Sequence, residues 1–157
     1  MRKLLIVLLL TLSMSASSIA QEVTVKDRIV TFIEETYKIS NAGLIVDYVF
    51  EVSERKDLDP TLVLGIIAVE SRFKDNAKNP SGATGLMQVV VPMHCKRFPT
   101  PKNCKALAND PEHNIEVGTD ILVEFKGNLR RYSGGHEGYA KLVKTQQHKF
   151  KQLYKDI

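Results

Sequence analysis

One stretch constrains this chain more than any other. Asp59-Pro60 is followed by Leu62-Val63-Leu64-Gly65-Ile66-Ile67-Ala68-Val69, and the run closes on Glu70. Aspartate is a strong helix cap, and proline is favoured at the first helical position. A helix that begins there and is apolar on every side has to be buried on every side. Other elements must therefore wrap around it, and a carboxylate is carried to the edge of the interior at its end.

The wrapping elements read as helices. Ile29, Val30, Ile33 and Tyr37 recur at helical spacing over residues 26–38. Asn41 is a candidate cap for a second helix, with Leu44, Ile45, Tyr48, Val49 and Val52 on one face. Asp110-Pro111 repeats the capped start and leads into Ile115, Ile121, Leu122 and Phe125. Gly134-Gly135 breaks the chain before a last helix with Tyr139, Leu142, Val143, Phe150 and Leu153. Residues 74–85 are rich in Asn, Pro, Ser and Gly and read as a loop. A short helix is expected from Gly85 to Val89, and Val89-Val90-Val91 is the best strand candidate. No repeat or interdomain linker is visible.

Glu70 is chemically unusual. Desolvation favours the protonated form of a carboxyl, and the negative end of a helix does the same. A carboxylic acid still protonated near neutral pH can donate a proton to a leaving oxygen. The alternative is a solvated carboxylate at the helix edge, or one paired with Arg72.

Further strings bear on that choice. Glu70-Ser71-Arg72-Phe73 is followed by Asn79-Pro80-Ser81-Gly82-Ala83-Thr84-Gly85-Leu86-Met87-Gln88. In order and spacing the two strings resemble the lytic transglycosylase domain of the soluble (SLT) type. Asp110-Pro111-x-x-Asn114-Ile115-x-x-Gly118 resembles a third motif of that family. Tyr132-Ser133-Gly134-Gly135 resembles its Tyr-Asn-Ala-Gly motif, with Tyr139 at the place of a later aromatic. The resemblance covers roughly residues 45–145. Two departures stand out. Gln88 is followed by Val89-Val90-Val91-Pro92, then His94 and Cys95, where the family has an apolar residue, Met-Pro and Thr. Ser133 stands in place of Asn.

The resemblance implies a mainly α, lysozyme-like α+β fold. It would be a single helical domain over residues 21–157, with a deep glycan-binding cleft and little or no β-structure. It also implies cleavage of the β-1,4 bond between N-acetylmuramic acid and N-acetylglucosamine in peptidoglycan, without metal or other cofactor. Carried over residue by residue, Glu70 is the acid/base and Ser71 orients the muramoyl acetamido group. Met87 and Gln88 line the groove, Asn114 supports the site, and Tyr132 contacts the Glu70 carboxylate. Bland readings stand beside these: Met87 as core, Asn114 as a backbone bridge, Tyr132 as core with a satisfied hydroxyl.

Most glycoside hydrolases use two carboxylates. After Glu70 the next acids are Asp75 and then Asp110. Asp75 could face the cleft as a second carboxylate or lie solvated in the polar loop; in the latter case Glu70 would act first as acid and then as base, while the muramic 6-hydroxyl closes a 1,6-anhydro ring. The competing readings are a goose-lysozyme-like muramidase, and an inactive glycan-binding component of a secretion, conjugation or phage assembly.

The N-terminus points to export. Arg2-Lys3, the apolar run Leu4–Leu10 and small residues through Ser18-Ile19-Ala20 form the pattern of a secretory signal peptide over residues 1–20. The apolar run is shorter than the about 20 residues a spanning helix needs, so no membrane span is expected after its removal. In an oxidising compartment Cys95 and Cys104 are expected to form a disulfide. Zinc binding with His94 or His113 is the alternative, but the spacing fits no common zinc pattern.

Charge is unevenly placed. The chain carries +4 in all; residues 126–157 hold eight Lys/Arg against Glu137 and Asp156, and residues 21–125 hold twelve against sixteen acids. The acidic main body and the export signal disfavour nucleic acid. The basic end suits an anionic polymer or a solvated helix face. His136-Glu137-Gly138-Tyr139-Ala140 lacks the second histidine of a zinc protease motif.

Overall fold

The capped starts set the helix boundaries in the computed structural model, which describes residues 23–94, 107 and 110–155. Cys95, Cys104 and residues 1–20 lie outside the described residues. Helix α1, Val25–Tyr37, opens on a capping box in which Thr24 and Asp27 satisfy each other's backbone amides. Helix α2 is Ala42–Lys56 and helix α3 is Pro60–Glu70. Asp59 caps α3 by accepting from the Thr61 amide at 2.8 Å.

The chain then turns sharply. Arg72 and Phe73 both take left-handed backbone conformations, at φ 53° and 62°. This is unfavourable for residues with a side chain, by roughly 1–2 kcal/mol each. The turn is held because the Phe73 ring is buried, 4.9 Å from Tyr37 and 6.1 Å from Phe150 between centroids.

Strand β1, Ala83–Thr84, pairs antiparallel with β2, Val89–Val90, with Ala83 opposite Val90 and Thr84 opposite Val89. The expected helix from Gly85 to Val89 is instead the turn of this hairpin. Gly85 explains why: its φ of +74° suits a hairpin turn and not a helix. Helix α4, Val91–His94, follows directly. Helix α5 is Pro111–Glu124, capped by Asp110 through the His113 amide at 3.0 Å. A short α6, Leu129–Tyr132, capped by Asn128, has no counterpart in the periodicity reading. Helix α7 is Tyr139–Gln152.

Helix α3 is the hub, as its composition requires. Val63, Leu64, Ile66 and Ile67 are fully buried. At about 1.5–3 kcal/mol per side chain, their burial exceeds the several kcal/mol that partial burial of one carboxylate costs. Helix α7 crosses α3 at Gly65, where an added Cβ would lie 3.0 Å from the Val143 carbonyl oxygen. The glycine is therefore what lets the two backbones approach. Helix α2 is tied to α5 by Lys56, whose Nζ reaches Glu116 at 2.9 Å and Asp120 at 2.6 Å with little exposure.

Three expectations at the surface need correction. Leu44 and Leu142 are 62% and 54% exposed and lie off the packed faces of their helices. Asn41 stands at the N-cap of α2 as expected but makes no side-chain capping bond; its side chain donates to Asp75 at 3.1 Å instead. The mainly α architecture with a single small hairpin agrees with the sequence reading among the described residues. No helix among them is long and apolar enough to cross a membrane.

Candidate active site

Glu70 opens onto a groove of about 290 Å³ lined by the hairpin, α4 and α6. Asn79, Gln88, Phe125, Arg131 and Tyr132 line it with Glu70. A larger hollow of about 490 Å³ lies beside Asp47, Glu51 and Leu58. Burial pushes the Glu70 pKa up, and a hydrogen bond from Tyr139 opposes the rise only in part. That hydrogen bond runs from the Tyr139 hydroxyl to Glu70 Oε1 at 2.5 Å. Among the described residues lining the groove, Glu70 is the sole carboxylate.

The two tyrosines divide their tasks differently from the sequence expectation. Tyr132 does not make the hydrogen bond to Glu70. Its hydroxyl donates to the Met87 carbonyl at 3.0 Å, which ties α6 to the hairpin turn. Its ring stacks on Tyr139 at 6.5 Å between centroids. Burial, and then the negative charge of Glu70, push both phenols well above their ordinary range, so both remain donors. Tyr139 meets the carboxylate because it begins α7, the helix laid along α3. A buried tyrosine needs a partner for its hydroxyl, and that requirement is the signal in the sequence that marks Tyr139.

Ser71 and Met87 sit behind the groove wall. The Ser71 hydroxyl is buried and donates to the Ile67 carbonyl at 3.2 Å, one turn back in its own helix. This arrangement does not present it to a sugar. Met87 is fully buried against Gly118, where a Cβ would fall 2.6 Å from the Met87 side chain. Its place is the core. Gln88 does line the groove. It sits at φ 48°, and its amide nitrogen donates to the carbonyls of Gly85 and Ala77 at 3.0 and 3.2 Å.

Asn114 is the anchor of the hairpin turn. Its Oδ1 accepts from the Met87 amide at 2.8 Å. Its Nδ2 donates to the carbonyls of Leu107 at 2.7 Å and Thr84 at 2.9 Å. The side chain thus bonds three backbone groups at once and ties the hairpin to Leu107. Asn79 does similar work at the groove mouth, accepting from the amides of Ser81 and Ala83, each at 3.0 Å. Asp75, the nearest acid in sequence, is held by Asn41 and is absent from the groove lining. Among the described residues, no cluster of His, Cys, Asp and Glu is arranged to hold a metal ion.

Comparison with known proteins gives the chain a family. The family described as the transglycosylase SLT domain matches residues 47–153, which include Glu70, the hairpin, Asn114 and both tyrosines. The chain is 36% identical over 90 residues to a membrane-bound lytic murein transglycosylase C of Serratia proteamaculans, covering 54% of this chain and 24% of that protein. It is 35% identical over 97 residues to the protein of the same name from Edwardsiella ictaluri, covering 57% and 26%. The match therefore spans about a quarter of the length of these curated relatives. No solved structure matches the chain significantly. On the extent of the family match and the site it contains, this chain belongs to the transglycosylase SLT domain family.

Proposed function

We propose that this chain is a peptidoglycan lytic transglycosylase in which Glu70 serves as acid and then as base. The observation that carries the reading is a groove carboxyl, single among the described residues, held toward its protonated form by burial and oriented by Tyr139. Protonated Glu70 gives its proton to the glycosidic oxygen as the bond from that oxygen to the muramic C1 breaks. The acetamido carbonyl stabilises the cationic C1. The 6-hydroxyl oxygen then bonds to C1, and its proton passes to the Glu70 carboxylate. The product is a 1,6-anhydromuramic end, no water is consumed, and Glu70 is restored. One carboxyl suffices because it changes protonation state between the two halves.

Gln88 and Tyr132 form the groove wall in this reading, and Asn114 holds the turn that presents them. The substrate is the glycan strand of the cell wall, as the names of the relatives suggest for those proteins. The proposal includes export directed by residues 1–20, and a disulfide between Cys95 and Cys104. A dedicated role beside a secretion, conjugation or phage assembly fits a domain that opens a gap in the wall.

The test is digestion of purified peptidoglycan by the wild type and by Glu70→Gln, with product masses read out. The wild type should release fragments one water lighter than the corresponding reducing ends. Glu70→Gln should lose at least a hundredfold in rate, the lower range for removal of a general acid. Release of reducing ends alone would replace the transglycosylase with a hydrolase. Undiminished release by the variant would remove Glu70 from the mechanism.

A further inference from the structure

Among the described residues, the groove holds one full positive charge that the acid/base chemistry does not use. Arg131 lines it, and it is the sole lysine or arginine among the described residues that do. Its guanidinium carbon lies over the Phe125 ring, 4.6 Å from the centroid. Phe125 lines the same groove. Among the described residues, no carboxylate lies at ion-pair distance from Arg131, and its guanidinium donates no hydrogen bond. Its neighbour Arg130, exposed like Arg131, differs in having a carboxylate partner, Glu137 at 3.8 Å.

The stack matters for what Arg131 can bind. A guanidinium lying on an aromatic face keeps its in-plane N–H fork available. Such a contact is worth roughly 0.5–1 kcal/mol at an exposed site. It also restricts a side chain that otherwise loses roughly 2 kcal/mol of rotamer entropy on being fixed. The α6 backbone beneath is itself held, with the Arg131 amide donating to Asn128 Oδ1 at 3.0 Å. The groove is therefore prepared for an anion with two coplanar oxygens.

We propose that Arg131, seated on Phe125, is a specificity-determining residue that pairs with a carboxylate of the bound strand. This rests on the glycan-strand reading of the groove. Two sources on such a strand carry that chemistry. One is the lactyl carboxylate of a muramic residue stripped of its peptide. The other is a free carboxylate of an attached stem peptide. Neutral N-acetylglucosamine oligomers offer neither.

The experiment measures binding in the Glu70→Gln background, so that no strand is cut. Peptide-bearing strands, peptide-stripped strands and neutral N-acetylglucosamine oligomers are titrated against Glu70→Gln alone, with Arg131→Ala, and with Arg131→Lys. Arg131→Ala should weaken binding of at least one anionic strand about tenfold and leave the neutral oligomer within twofold. Arg131→Lys should recover part of the loss, since a lysine keeps the charge but not the fork. Loss confined to stripped strands assigns the lactyl carboxylate; loss confined to peptide-bearing strands assigns the stem peptide. Equal loss on all three ligands, or no loss on either anionic strand, overturns the proposal. Fragment release by the wild type is scored separately. Its absence sinks the enzymatic reading, while the binding comparison still decides whether Arg131 recognises a carboxylate.

Discussion

The Tyr139 hydroxyl donates to Glu70 Oε1 at 2.5 Å, joining the first residue of α7 to the last residue of α3. Two opposing influences meet at that carboxyl. Burial raises its pKa and is the larger; the Tyr139 hydrogen bond stabilises the ionised form and lowers it. The tyrosine therefore tunes an acid that burial has created.

Tyr139→Phe should move the Glu70 pKa further up, because the stabilising donor is gone and the burial remains. The alkaline limb of the pH–rate profile for fragment release should shift to higher pH. Fold stability should fall by about 1 kcal/mol, the usual net worth of one hydrogen bond. A profile superimposable on that of the wild type would show that Tyr139 does not set the protonation of Glu70.

Glu70→Gln should stabilise the protein at neutral and alkaline pH. The folded-state pKa of Glu70 lies above its ordinary value of 4.5. The folded state thus holds the proton more tightly than the unfolded state. The stability that this contributes is complete below the ordinary value and is lost as pH rises through the folded pKa. The variant has no such loss, so its melting temperature relative to the wild type should climb from pH 4 to pH 8. A difference that stays flat across that range contradicts the raised pKa.

Asn114→Ala should cost about 3 kcal/mol or more. It strips the buried Met87 amide of its partner, at roughly 1–3 kcal/mol, and removes one hydrogen bond each from the Thr84 and Leu107 carbonyls, at about 1 kcal/mol apiece. Asn114→Asp should fare little better, because a carboxylate cannot donate to two carbonyls. Urea denaturation measures both variants, and a loss under about 1 kcal/mol would show that the turn finds other partners.

Gly118→Ala sets two effects against each other. Alanine in a helix is favoured over glycine by about 1 kcal/mol. Its Cβ would lie 2.6 Å from both Cβ and Sδ of Met87. Overpacking costs about 1–3 kcal/mol, and Met87 Cβ cannot move without its backbone, so the clash should prevail. A net loss of about 1 kcal/mol is expected in thermal melts, with slower fragment release because Met87 precedes Gln88. An increase in stability would mean that the hairpin turn shifts freely.

Much of the architecture was legible from local signals. Asp59-Pro60 and Asp110-Pro111 both open helices as their capping chemistry requires. The all-apolar run of α3 forced its burial, and burial made the terminal carboxyl a weak acid. Each of these causes acts within a few residues of its effect. The hairpin turn escapes a periodicity reading because Gly85-Leu86-Met87-Gln88 buries Leu86 and Met87 without any period. In such a case only the left-handed glycine distinguishes turn from helix.

By itself, then, the sequence determined the mainly α architecture, the buried central helix and the half-buried carboxyl of Glu70 at its end. Tertiary structure decided which hydroxyl reaches that acid, and which side chains face the groove. Tyr132 and Tyr139 are chemically the same residue. What separates them is the close crossing of α7 over α3 at Gly65, which brings Tyr139 to Glu70 and leaves Tyr132 on the hairpin. Likewise Met87 and Gln88 are adjacent, and the anchoring of their turn by Asn114 sends one inward and the other into the groove. These outcomes depend on contacts between residues far apart in the chain, whose geometry exists only after the helices have packed.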